Sequence, residues 1–287
     1  MGITLGANQY GKAENRLVTV SRQGSRHEIR DLTVSTALRG DLADTHLTGD
    51  NSKVLATDTQ KNTLYAFAKQ QPPGQIEEFG LRLARHFTGS FEQITGARVI
   101  IDEHAWQRID DHDHSFARSG EEKRTTTVTV HNGQEWVVSG LRDLVVLKST
   151  GSEFHGFPRD RYTTLPETTD RILATAVTAR WRFAHLDVPW DKSFAEARQA
   201  MLAAFADTHS LSLQQTLYAM GKAVLEAREE IAEVRLSLPN KHHFPVDLSK
   251  FGLDNDNEVF YAADRPYGLI EGTVLREEAP EPGPAWD

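Results

Sequence analysis

The stretch Gln75–Arg108, QIEEFGLRLARHFTGSFEQITGARVIIDEHAWQR, changes its periodicity part-way along, and that change sets the fold class. Ile76, Phe79, Leu83 and Phe87 recur at the three- and four-residue spacing of one helix face, and Gly89 stands where such a helix stops. From Ala97 to Arg108 the chain takes on strand character. On the N-terminal side, Arg16–Arg22 and Glu28–Leu38 read as extended, with Leu32, Val34 and Leu38 on one face of the second. Val54–Thr57 is a short apolar approach to Thr57-Asp58 and reads as a strand end. On the C-terminal side, Arg124–Val130 is a further strand, Asn132-Gly133 a turn into Glu135–Ser139, and Leu144–Leu147 a fully apolar strand candidate.

The second half repeats the order. Thr178–Phe183 alternates, with Ala179, Trp181 and Phe183 opposing Thr178, Arg180 and Arg182. Arg171-Ile172-Leu173 reads as a helix-like turn. Ser193 and Glu196 form a capping-box pattern ahead of Phe194, Ala197, Met201 and Phe205. Leu213, Leu217, Met220, Val224 and Ile231 mark a longer helix, and Val234–Leu238 is a strand ended by Pro239. Strands, helices and strands again, twice over, indicate an α+β chain with antiparallel sheets, with the break near Lys148. A short echo between Lys61-Asn62 and Asn240-Lys241 does not by itself establish a duplication. The last stretch, Glu277–Asp287, is rich in Pro and Glu and is expected to be a disordered tail.

Composition removes several classes of function. A formal charge of −9 argues against a nucleic-acid binder, which needs a basic surface to neutralise phosphates. No apolar run is long enough to span a bilayer, and Met1–Gly11 has neither the basic start nor the apolar core of a secretory leader. With no cysteine there is no disulfide, thiolate metal site or cysteine nucleophile. Gly-rich dinucleotide fingerprints, P-loops, H-E-x-x-H and G-x-S-x-G motifs are also missing.

The densest chemical cluster is Asp110-Asp111-His112-Asp113-His114. Hard-ligand metal binding is one reading; a polar turn between strands is the other, and the favoured one, because strand neighbours point to opposite faces. Taken singly, the other polar residues are ordinary. Lys12 reads as a solvated charge, Thr57 as a turn or cap residue, Arg171 as a surface charge and Phe154 as a core aromatic. Of the pair His242-His243, one would normally be structural.

Residues Tyr10 to Gly272 nevertheless resemble the urate oxidases, a likeness carried by several motifs in order. The most specific is Leu144–Thr175, LVVLKSTGSEFHGFPRDRYTTLPETTDRILAT. Beside it stand Tyr10-Gly11-Lys12, the run from Ala56 to Thr63, Ser212-Leu213-Gln214, and the run from Ser237 to His242. The resemblance implies two tandem tunnelling-fold (T-fold) domains, 8–147 and 148–276, each an antiparallel sheet with helices on one face. Four such chains would form a barrel-lined tunnel, a homotetramer with active sites at subunit interfaces.

It also implies a cofactor-free oxidation of urate by O2 to 5-hydroxyisourate and hydrogen peroxide, with no metal. Phe154 would stack on the purine, Arg171 would present its guanidinium fork, and Gln214 would offer its amide beside the Leu213 backbone. Many relatives have Val where Leu213 stands, a mild departure. Thr57 and Asp58 would reach in from a neighbouring subunit, their backbone or side chains closing the urate rim, and Asn240 would lie above the ring plane where oxygen or water waits. Lys12, Thr57 and His242 would form a proton relay. Two rival readings remain at this point: a zinc-dependent tunnelling-fold hydrolase of purines or pterins, and a non-catalytic purine-binding module. A C terminus of Ala285-Trp286-Asp287 rather than a Ser-Lys-Leu-type peroxisomal address makes bacterial cytoplasm the expected location.

Overall fold

In the computed structural model, which describes residues 2–263 and 265–287, the strand–helix–strand succession runs twice. First come β1 (Asn15–Ser21), β2 (Glu28–Gly40), the short α1 (Ala43–Leu47), α2 (Thr57–Gln70), α3 (Ile76–Ser90), β3 (Ile94–Arg108) and β4 (Phe116–His131). They are followed by β5 (Gln134–Lys148), β6 (Leu173–Phe183), α4 (Trp190–Asp207), α5 (Leu213–Ala227), β7 (Ile231–Pro239), β8 (His242–Pro245), β9 (Phe260–Ala263) and β10 (Leu269–Leu275). The chain divides into two compact units. The first runs to Gly140 and adds His185–Asp191 and Pro280–Asp287; the second comprises Leu141–Ala184 and Lys192–Ala279. The division falls inside β5, a few residues before Lys148. Residues 140–143, which the sequence reading leaves unassigned between two strands, belong to β5, with Asp143 in the left-handed region at φ 62°.

In unit 1 the strands run β1-β2-β3-β4 with the start of β5 beyond β4, and β1 to β4 pair antiparallel. The β2/β3 register sets Val34 against Ile101 and Leu38 against Ala97, so alternate residues of both strands share one face. That face is covered by α3. Leu32, Val34, Leu38, Val99, Ile101 and Val128 are fully buried with Phe79, Leu83 and Phe87, the helical stripe read from the sequence. Glu77, in the first turn of α3, is buried as well; burial pushes its carboxyl pKa up while Arg124 at 2.8 Å and Ser139 at 2.6 Å supply the bonds that hold it.

In unit 2 the later part of β5 leads to the order β6-β7-β10, with antiparallel β6/β7 and β7/β10 pairs that set Trp181 against Val234 and Val234 against Val274. α5 packs on β7 and β10 through Leu213, Leu217, Met220 and Val224. Beyond Pro239, the short β8 and β9 form a separate two-stranded ribbon.

Five local expectations are corrected. Thr57 does not end a strand but is the first residue of α2, whose opening turn is braced by Lys61 and Asn62 bonding Asp58 at 2.5 and 2.9 Å. Arg171-Ile172-Leu173 is not helical; Leu173 opens β6. Ser193 is no cap, because α4 starts at Trp190, and its buried hydroxyl donates to Glu230 at 2.7 Å. α5 ends at Ala227 and Ile231 opens β7, its side chain entering the same core that the helical stripe faces. Residues 277–287 are not a loose tail: they close in a 3-10 turn, Gly283–Trp286, with Ala285 buried and Asp287 held by Arg39 at 3.0 Å and by Arg98. Composition foretells solvation there, but two arginines on distant strands supply the anchor.

Candidate active site

A cavity of about 470 Å³ in unit 2 is lined by Phe154, Arg171, Leu213, Gln214, Asn240 and His242, together with residues of β8 and the β5–β6 connection. Backbone pairing explains how so long a connection holds a site. Phe154 and Thr168 exchange both backbone hydrogen bonds, at 2.8 and 3.0 Å, which closes the loop between them. Glu153 N–H donates to the Ser210 carbonyl at 2.7 Å and Ser210 N–H to the Gly151 carbonyl at 2.9 Å. The connection is thereby fastened to the run-in of α5, and Phe154 is set beside the helix start that carries Leu213 and Gln214.

Arg171 decides what the cavity can take. Its guanidinium carbon lies 5.2 Å from the centre of the Phe154 ring, and its Nε donates to Ser152 Oγ at 3.3 Å. Burial lowers its pKa, yet an arginine stays charged at any physiological pH. Among the described residues no carboxylate pairs with it and its two terminal nitrogens make no hydrogen bond. A half-buried cation with an open fork over an aromatic ring is arranged for a planar anion with adjacent acceptors.

Around it, Ser212 caps α5 by accepting from Gln215 N–H at 3.2 Å, which leaves Leu213 and Gln214 at the positive end of the helix. The Gln214 amide is exposed and has no protein partner among the described residues. Asn240 is fixed through its backbone, N–H to the Gly268 carbonyl at 2.8 Å, and its side chain likewise has no partner among the described residues. His242 begins β8 opposite Ala263, its ring stacked 5.6 Å from Phe244. Burial first, then the positive charge of Arg171, lowers its pKa, so near neutrality it is an uncharged imidazole able to accept a proton.

Lys12, Thr57 and Asp58 gather in unit 1. Tyr10 and Leu38 exchange backbone bonds at 3.1 and 2.7 Å, and Thr36 N–H donates to the Lys12 carbonyl at 2.9 Å, so Tyr10–Lys12 lies along β2. Gly11 has to be glycine: a Cβ there would stand 1.7 Å from the Thr36 carbonyl oxygen. Thr57 and Asp58 occupy the first turn of α2, and the Asp58 carboxyl pKa is lowered chiefly by the Lys61 hydrogen bond, with Lys12 adding to it through space. The nine expected residues therefore form two sets, six around the unit 2 cavity and three in unit 1. Ser152 and Thr168, which hold Arg171 and Phe154 in place, had no signal beyond lying inside the Leu144–Thr175 stretch.

The Asp110–His114 cluster forms the β3–β4 turn. Asp110 and Asp111 have φ of 43° and 57°, Asp111 pairs with Arg26 at 2.6 Å, and His112 Nδ1 accepts from His114 N–H at 3.3 Å. Among the described residues no three His, Asp or Glu side chains are grouped as metal ligands.

A family model described as uricase matches residues 8–129 and 137–271, nearly the whole chain. The chain belongs to the uricase family. Its short unmatched interior, 130–136, spans the turn between β4 and β5 and contains none of the nine expected site residues. The uricase of Arthrobacter globiformis is 57% identical over 284 residues, 99% of this chain and 94% of that one, and the uricase of Dictyostelium discoideum is 40% identical over 96% and 99%. The crystal structure of the Arthrobacter uricase superposes with a TM-score of 0.97, covering 100% of this chain and 99% of the other. A Bacillus uricase structure at 24% identity, with a TM-score of 0.81, shares the fold. Kinship of this extent with uricases leaves the zinc hydrolase and the non-catalytic binding module without support.

Proposed function

We propose that the chain is a urate oxidase that converts urate, O2 and water to 5-hydroxyisourate and hydrogen peroxide. The observation that carries the reading is the unpaired Arg171 fork over the Phe154 ring, inside a uricase-family chain. Urate is flat, anionic and rimmed with acceptors. Phe154 stacks on it, Arg171 grips two adjacent acceptors, and the Gln214 amide with the Leu213 N–H meets the opposite edge. Asn240 faces the place where oxygen or water waits.

The reaction moves two electrons from urate to O2, and water supplies the hydroxyl left on the ring. Urate must first lose a further proton to become reducing enough, and its electrons pass singly because triplet oxygen cannot take a pair in one step. Lys12, Thr57 and His242 move that proton: the lysine exchanges it, Thr57 passes it on, and neutral His242 hands it to solvent. Since the substrate is the reductant, no metal or flavin enters the balance. After exhaustive dialysis against a chelator, urate absorbance should fall at an unchanged rate with stoichiometric peroxide. A rate that disappears and returns with one added metal would overturn the proposal.

The assembly belongs to the same proposal: a homotetramer in which Thr57 and Asp58 of one chain complete the cavity of another. A bacterial cytoplasmic setting belongs to the proposal as well; the closer likeness to the Arthrobacter relative than to the Dictyostelium one supports its bacterial part. Lys12→Met and Arg171→Ala, each nearly inactive alone, should complement when co-expressed. If every site takes its two halves from different chains, about a quarter of the sites in an equal mixture are intact. Mixtures as inactive as the separate variants would place each site within a single chain.

A further inference from the structure

We infer that Gln60 is a positioning residue that sets the spacing between Lys12 and Thr57; the inference rests on the proton relay proposed above. Gln60 closes the first turn of α2 and is fully buried, an unusual place for a polar side chain that belongs to neither set of site residues. Its amide is spoken for at both ends. Nε2 donates to the Leu55 carbonyl at 3.3 Å, and Oε1 accepts the Thr36 hydroxyl proton at 2.7 Å. A carbonyl can only accept, so the Leu55 oxygen fixes which end of the amide is nitrogen and leaves Oε1 for Thr36.

The Thr36 hydroxyl has one proton and two acceptors within reach, Gln60 Oε1 at 2.7 Å and the Lys12 carbonyl at 3.5 Å, and the shorter contact takes it. Its lone pair then accepts Lys12 N–H at 3.3 Å. The Leu55 carbonyl also accepts Tyr10 Oη at 3.0 Å, and Tyr10 is joined to Lys12 through Gly11, pressed on the Thr36 carbonyl. These bonds close a ring from Lys12 through Thr36, Gln60, Leu55 and Tyr10 back to Lys12. Leu55 is two residues before Thr57. The ring therefore ties the segment bearing the amine to the turn bearing the hydroxyl, and Gln60 is the only member reaching both β2 and the entry to α2 by its side chain. A relay needs its donor and acceptor held within a fraction of an ångström, because a misplacement of about 1 Å can cost about a hundredfold in rate.

The test compares kcat for urate with the dissociation constant of a non-oxidised purine analogue, in the intact assembled enzyme. Gln60→Leu and Thr36→Val should each lower kcat about ten- to a hundredfold while the analogue binds within about threefold of wild type. Their solvent deuterium isotope effect on kcat should rise as proton transfer becomes limiting. Thr36→Ser, which keeps the hydroxyl, should recover most of the rate that Thr36→Val loses, and the Gln60→Leu/Thr36→Val double variant should be little worse than either single. An unchanged kcat in Gln60→Leu, or a fall matched by equal loss of analogue affinity, overturns the inference. Lys12→Met run alongside separates the two claims. If it is slow while Gln60→Leu is not, the positioning role fails alone; if Lys12→Met keeps full kcat, the relay itself fails.

Discussion

Arg171→Ala weakens urate and its competitive purine analogues by about 2–5 kcal/mol, roughly 30-fold or more in Kd. The size follows from what surrounds the side chain. With no carboxylate partner among the described residues, Arg171 is the permanent cation the cavity offers to an anion, and its removal leaves a substrate anion half-buried in a lining that includes the Glu167 and Asp170 carboxylates. Arg171→Lys should be poor as well. A lysine keeps the charge but delivers a point rather than a planar fork, so one of two adjacent acceptors goes unmatched, and the stack on Phe154 at 5.2 Å is lost with it. The substitution has a second signature. The Arg171 charge helps depress the His242 pKa, so in Arg171→Ala that pKa should rise towards its ordinary value, and the acidic limb of the rate profile should move to higher pH. Isothermal titration with an analogue, plus a kcat profile against pH, reads both. Unchanged analogue affinity in the two variants would reduce Arg171 to a structural cation.

The fold class was legible because its signal is periodic and local. α3 buries the stripe Ile76, Phe79, Leu83 and Phe87, and β2 buries Leu32, Val34 and Leu38. α2 leaves little trace in the sequence because its buried face is only Gln60, Leu64 and Ala68, a stripe too weak and too polar to stand out against the background. Ile231 mimics a helical position because a residue one heptad after Val224 fits the stripe whether or not the backbone turns into a strand. The site was legible in a different way. No property of Phe154 or Arg171 alone distinguishes them from core and surface residues; what makes them a site is the fastening of Gly151 and Glu153 to Ser210, nearly sixty residues on. Such long-range backbone pairing leaves no local pattern, and only the resemblance carried by whole motifs pointed to these positions. The C-terminal turn was hidden for the same reason, since its anchors Arg39 and Arg98 are remote in sequence.

Lys12→Met should separate binding from chemistry more sharply than any other substitution. Lys12 lies outside the set that lines the unit 2 cavity, so analogue affinity should stay within a few-fold while kcat falls by about 10²–10⁴, the usual worth of positioned acid–base catalysis. Thr57→Val should match it. The hydroxyl stands at the start of α2 without a protein partner among the described residues, so its loss removes no bond that stabilises the fold, while the Thr57 backbone and Asp58 still complete the cavity. Because a broken chain cannot be broken twice, the double variant should be little worse than either single. His242 adds the pH dependence. Held neutral by burial and by Arg171, it can accept a proton at pH values above its lowered pKa, and the rate falls as pH drops through that pKa and the ring charges. At high pH solvent hydroxide takes the proton directly, so a His242 variant should recover there while Lys12→Met should not. Single-turnover oxidation of urate across pH, for both singles and the double, checks all three statements. Should the losses at Lys12 and Thr57 multiply instead, the two act independently: each would stabilise a different charge in the transition state, and the relay would give way to separate electrostatic roles within the same urate oxidase.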